Sequence, residues 1–108
     1  MRSTLPCVII RYNDKGEIDY LNVNGKWTNT LNPGFTANQT RHWLNPGNAW
    51  HAVNKLVIKK KENFDRLFVV RQNKLVQLPI RNALSMDHII KKSEQIHLIN
   101  TFIKFSNV

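Results

Sequence analysis

Cysteine is nearly absent from this sequence. Cys7 is the only one, which rules out a disulfide within the chain and a structural zinc site built on cysteines. With no cationic or imidazole pattern beside it to activate the thiol, Cys7 reads as a small buried strand residue. Long hydrophobic runs are missing too. No stretch approaches the roughly 18 apolar residues of a membrane span. The opening MRSTLPCVII carries a basic residue, but its apolar part is short and no small-residue cleavage site follows. The expectation is a soluble, cytoplasmic protein with no membrane partner.

The functional residues that many enzymes need are also scarce. The 4 glycines, at 16, 25, 34 and 47, all sit where a turn or a helix start is expected, so no glycine-rich loop is left to cradle phosphates and nucleotide hydrolysis lacks its machinery. His42, His51, His88 and His97 are nine or more residues apart, so none forms the helical pair of a metal motif. The 7 carboxylates are Asp14, Glu17, Asp19, Glu62, Asp65, Asp87 and Glu94, and the first three crowd a predicted turn and strand start, as solvated groups do. No metal and no cofactor is expected.

What is present is positive charge. The net charge is +9, and it is unevenly spread: residues 1–40 carry +1 and residues 41–82 carry +7. The central excess comes from Arg41, Lys55, Lys59, Lys60, Lys61, Arg66, Arg71, Lys74 and Arg81, set against Glu62 and Asp65. Cations concentrated in this way are the footprint of a polyanion-binding surface, because each phosphate neutralised releases condensed counterions. They also fit an acidic protein surface, or simple solubility.

Length and patterning give a fold class. The chain has 108 residues, 42% of them hydrophobic and spread along its whole length, as expected for one α+β domain over residues 1–108. Residues 6–12 and 17–23 read as strands joined by the turn Asn13-Asp14-Lys15-Gly16. Asn24-Gly25 predicts a type I′ turn into a third strand over 26–31, completing an antiparallel β-meander. Val8 and Ile10 alternate with Cys7 and Ile9, so the first strand should be covered on both sides.

Leu-Asn-Pro-Gly occurs at 31–34 and again at 44–47, and each copy reads as a helix start. The first predicts a short helix over Phe35–Leu44, the second the best-defined helix of the chain. Asn45 is its N-cap and Pro46 its first residue, and Ala49, Trp50, Val53, Leu56 and Val57 recur at helical spacing as an apolar stripe. His51, Asn54, Lys55 and Lys59 fall mostly on other faces, and Lys59, Lys60 and Lys61 close the segment where the helix dipole favours cations. Arg66–Ile80 reads as a β-hairpin turning at Asn73-Lys74, with Arg71 and Lys74 on a projecting cationic tip and Pro79 at an edge or strand end. Ser85 caps a last helix in which Met86, Ile89, Ile96, Ile99 and Ile103 share a face. One long or broken helix fits residues 86–105 better than a helix followed by a strand.

The order meander, two central helices, hairpin and C-terminal helix resembles a winged helix in its elements, though no helix-turn-helix sequence pattern accompanies it. The leading functional expectation is a non-catalytic nucleic-acid-binding protein, DNA or RNA, using the 45–61 helix and the 66–80 hairpin. Arg41, Lys55, Lys59, Lys60, Lys61, Arg66, Arg71 and Lys74 are the candidate phosphate contacts, with His51 and Asn54 as base or sugar contacts. Trp27, Trp43 and Phe35 near the basic segment could stack bases, while Trp50 belongs to the core. The first rival is an interaction module or inhibitor that docks on an acidic or nucleic-acid-binding surface of a partner. The second is a metal-independent ribonuclease using His42, His51, Lys55 and Arg71.

Overall fold

The computed structural model describes residues 5–29 and 39–102. It is α+β: a 5-stranded antiparallel sheet in the order β3-β2-β1-β4-β5 with two α-helices. The strands are β1 (Val8–Tyr12), β2 (Ile18–Leu21), β3 (Trp27–Asn29), β4 (Leu67–Arg71) and β5 (Lys74–Leu75), and the helices are α1 (Pro46–Lys60) and α2 (Met86–Phe102). The expected meander is therefore present as β1-β2-β3, in the register Ile10↔Tyr20 and Tyr20↔Thr28. Its two turns are built alike. In each an asparagine, Asn13 or Asn22, accepts through its main-chain oxygen from the glycine three residues on, while its Oδ1 accepts two further backbone amides across the turn. Only Gly16 and Gly25 have positive φ there, 77° and 79°. The second turn is thus a type I turn closed by a left-handed glycine, and not the type I′ turn expected from Asn24-Gly25. The Asn22 carboxamide, by holding the amides of Asn24 and Lys26, selects the longer loop.

The β4–β5 turn is where type I′ geometry does occur, at Gln72 (φ 51°) and Asn73 (φ 68°), so that Arg71 pairs with Lys74. The turn lies one residue earlier than the expected Asn73-Lys74. This hairpin is not a projecting wing: β4 pairs with β1 along Val8↔Val70 to Arg11↔Leu67, and Leu67, Phe68, Val69 and Val70 are all buried. An unbroken apolar run of that kind is the mark of a strand covered on both faces, and β1 shows it too in Cys7, Val8, Ile9 and Ile10. Pro79 lies beyond β5, ahead of a 3-10 turn over Ile80–Asn82.

The expectation of two central helices is corrected to one. Residues 35–38 lie outside the described residues, but Thr40 and Trp43 are not helical: Thr40 bridges Asn22, and Trp43 exchanges both backbone hydrogen bonds with Cys7. This segment ties the end of β2 to the start of β1, where a helix would leave those strand amides without partners. The winged-helix order goes with that helix.

α1 forms as its sequence dictates. Asn45 is extended (φ −105°, ψ 120°), its Oδ1 accepts the Gly47 amide at 2.7 Å, and Pro46 begins the helix. Ala49, Trp50 and Val53 are fully buried against β1 and β4. At the other end Lys61 takes a left-handed conformation (φ 58°) and donates its amide to the Leu56 carbonyl, ending the helix. α2 starts at Ser85, whose Oγ accepts the His88 amide, and runs unbroken to Phe102. Ile96 is buried in it, whereas Met86, placed by pattern on the inner face, is the first residue of the helix and is 67% exposed. Asn100 of α2 closes the edge strand: it accepts from the Leu75 amide at 2.8 Å and donates to the Leu75 carbonyl at 3.0 Å, doing what a sixth strand would.

Lys92 is the unforeseen core residue. It is 1% exposed, donates to the carbonyls of Phe64 (2.6 Å) and Leu67 (3.0 Å), and stands over the Phe64 and Phe68 rings at 4.4 and 4.1 Å. Burial pulls its ammonium down from 10.5 to about 8, against the attraction of Asp65 and with help from the Lys91 charge. α2 therefore covers the sheet face that carries Phe68. The loop after α1 meets the opposite face, where Glu62 accepts two bonds from Arg11.

Candidate nucleic-acid interface

The inner stripe of α1 is held by the sheet, so its outer face is fixed: Asn48, His51, Lys55, Ile58 and Lys59 are all exposed along it, and Lys60 is exposed at the last turn. At about 1.5 Å per residue, 15 residues span roughly 22 Å, and Lys55 and Lys59 stand one turn apart on a single ridge. The carboxylates that could neutralise this ridge are engaged elsewhere. Arg11 binds Asp19 at 3.0 Å and Glu62 at 3.0 Å while stacking over Trp27 at 4.5 Å. Arg66 pairs with Asp14, and Lys91 with Asp65 at 2.9 Å. Among the described residues no carboxylate pairs with Lys55, Lys59, Lys60 or Lys61.

The candidate residues thus sort by surroundings. His51, Lys55, Lys59, Lys60, Lys61 and Lys74 are exposed. Arg41 is exposed with its guanidinium 5.0 Å over the Trp43 ring, a cation and a half-buried aromatic side by side. Arg71 is half-buried and donates to the Leu44 carbonyl at 2.9 Å, so the hairpin tip sits beside the N-terminal end of α1. Arg71 also lies near Cys7, whose thiol is raised by burial with that guanidinium opposing. Arg66, exposed, is held by Asp14. Asn54 departs from the expectation that it faces a ligand: it is 9% exposed, and its Nδ2 donates to the Asn82 carbonyl at 2.6 Å.

Two residues outside the candidate contacts join α1 in space. Arg81 and Asn82 come from the 3-10 turn, and Asn82 Nδ2 donates to the Gly47 carbonyl at 3.2 Å. With Asn45, Gly47, Asn48 and His51 they line a cavity of about 310 Å³ at the start of α1. A second cavity, about 270 Å³, is lined by Arg11, Asn13, Asp14, Glu62, Asn63 and Arg66, of which Arg11 with Glu62 and Arg66 with Asp14 are already in mutual ion pairs. His42, proposed with His51 for acid-base chemistry, does not line the cavity that holds His51. Among the described residues no three of His, Cys, Asp and Glu gather as a metal-holding group, and no helix is long and apolar enough to cross a membrane.

Comparison with known protein families, with curated proteins and with solved structures finds no match to this chain.

Proposed function

We propose that the protein binds nucleic acid through the outer face of α1, with Lys55, Lys59, Lys60 and Lys61 tracking the phosphate backbone and His51 and Arg41 placed for sugar, base or stacking contacts. The observation that carries this reading is the absence of neutralising partners: Asp14, Asp19, Glu62 and Asp65 are all taken up by Arg11, Arg66 and Lys91, so the ridge keeps its charge for an external polyanion. Lys74 and Arg71 extend the same positive field from the hairpin tip at one end of the helix. Arg66, in an exposed pair of the kind worth little, is free to exchange Asp14 for a phosphate.

The test is charge reversal at positions the fold does not use. Lys55→Glu with Lys59→Glu should leave thermal unfolding within a few degrees and weaken binding to duplex DNA, single-stranded DNA or RNA at least 100-fold at low salt. Lys15→Glu with Lys26→Glu, at the meander turns, is the control with the same change in net charge. Equal losses from both pairs would reduce the effect to bulk charge and remove α1 as the interface. Capture of a stoichiometric protein from nuclease-treated extract, with no nucleic-acid binding, would favour an acidic protein partner instead.

A further inference from the structure

The cavity at the start of α1 differs from the ridge that leads to it. The ridge offers only cations, whereas the cavity mixes cationic and neutral donors with acceptors. Arg81 and His51 bring a guanidinium and an imidazole, and Asn48 brings a carboxamide. Among the described residues Arg81 has no ion-pair partner, and its guanidinium nitrogen lies 3.4 Å from the point where a Cβ on Gly47 would stand. The same point is 3.1 Å from Asn45 Oδ1 and 3.6 Å from Asn82 Oδ1, so the cavity's cation and two of its acceptors stand together against the start of the helix. Asn82 Oδ1 is buried and accepts no hydrogen bond from the protein, although its Nδ2 is bonded to the Gly47 carbonyl. A buried acceptor left in this state calls for a donor from a ligand, because an unmet polar group costs the full desolvation of that group.

We propose that this cavity binds the terminal phosphate monoester of a nucleotide or nucleic-acid strand end, with Arg81, His51 and Asn48 on the phosphate oxygens and Asn82 Oδ1 accepting from a sugar hydroxyl or base amino group beside it. A monoester suits the site better than an internal diester. It carries about −1.5 to −2 charges and three acceptor oxygens, matching several converging donors, whereas the diesters of a continuous strand are served by the lysine ridge. The cavity's position at the end of that ridge places a strand terminus where the track of lysines stops. Taking a strand end as the natural source rests on the nucleic-acid reading above, while the phosphate chemistry of the cavity does not.

The experiment compares single-stranded oligonucleotides of one sequence with a terminal phosphate at the 5′ or 3′ end, or with hydroxyls at both, against wild type and Arg81→Gln. Inorganic phosphate and nucleoside monophosphates are titrated in parallel by amide NMR. One phosphorylated form should bind about tenfold more tightly than the hydroxyl form, and Arg81→Gln, at an exposed position, should bring the two to equal affinity with unchanged thermal unfolding. His51→Gln should narrow the same difference. Equal affinity of all forms for wild type, or a preference that survives Arg81→Gln, would overturn the proposal while leaving the ridge intact. Shifts at Asn48, His51 and Asn82 with a nucleoside monophosphate, but no binding of any oligonucleotide, would uphold the cavity and overturn the strand-binding reading. No binding of any phosphate compound would overturn both.

Discussion

Replacing Lys92 by methionine should change how stability depends on pH. The unfolded chain holds the Lys92 proton up to its ordinary value of 10.5, but the folded protein only to about 8. Between those values the unfolded state binds more protons, so stability must rise with pH, with a limiting slope of about 1.4 kcal/mol per pH unit. Summed over the whole interval this is roughly 3 kcal/mol. Other groups act in the opposite sense higher up. Burial raises Cys7 above 9.0 and Tyr12 and Tyr20 above 10.0, so the folded state keeps those protons longer and loses stability as pH climbs past those values. The clean window is therefore pH 8 to 9, and Lys92→Met isolates the lysine because the other groups are common to both proteins. Urea unfolding at half-unit steps from pH 7 to 9.5 should show wild type gaining about 1 kcal/mol on the variant across that window. At pH 7 the variant loses donors to the Phe64 and Leu67 carbonyls, at about 1–3 kcal/mol each, but is relieved of a buried charge, so the offset there is not the diagnostic. A constant difference from pH 7 to 9.5 would refute the reasoning. It would mean that the two carbonyls and two aromatic rings hold the ammonium as well as water does.

Arg11→Ala should destabilise by about 3 kcal/mol in urea unfolding, since it leaves Asp19, whose side chain is 8% exposed, without its counter-charge, and Arg11→Lys should recover part of this. Gln72→Gly should raise stability by about 0.5–1 kcal/mol, because Gln72 holds φ 51° in a turn that glycine enters without a steric penalty, and an unchanged denaturation midpoint would count against the type I′ assignment. Asn45→Ala should cost about 1 kcal/mol by freeing the Gly47 amide.

Most of the secondary structure was legible because it is locally encoded. Asn45-Pro46 and the spacing of Ala49, Trp50 and Val53 fix α1 without reference to the rest of the chain. The continuous apolar run of β1 marked a strand buried on both faces, whereas β4, with the same kind of run, reads in the sequence only as one arm of a projecting hairpin. The turn after β2 misled because Asn24-Gly25 is a strong hairpin signal, whereas the decisive group is the side chain of Asn22 two residues earlier. Asn13 makes the same bonds before Gly16, so the signal to read was asparagine three residues ahead of glycine. What was not legible depends on residues far apart in sequence. Nothing local to Lys92 says that it will be buried, since Phe64 and Phe68 arrive from another element. Arg81 and Asn82 reach Gly47 only because Asn54 and Asn82 pin the 3-10 turn to α1. The exposed lysines of the ridge, by contrast, followed directly from the helical spacing of their apolar neighbours.

The measurement closest to the central claim is the salt dependence of binding to duplex DNA, read beside single-stranded DNA and RNA. With about five phosphates engaged along α1 and its ends, log K should fall against log salt with a slope of about −4 to −5, and Lys55→Glu with Lys59→Glu should flatten that slope by about 2. A slope near zero, or one that the double variant leaves unchanged, would contradict a phosphate-binding ridge on α1.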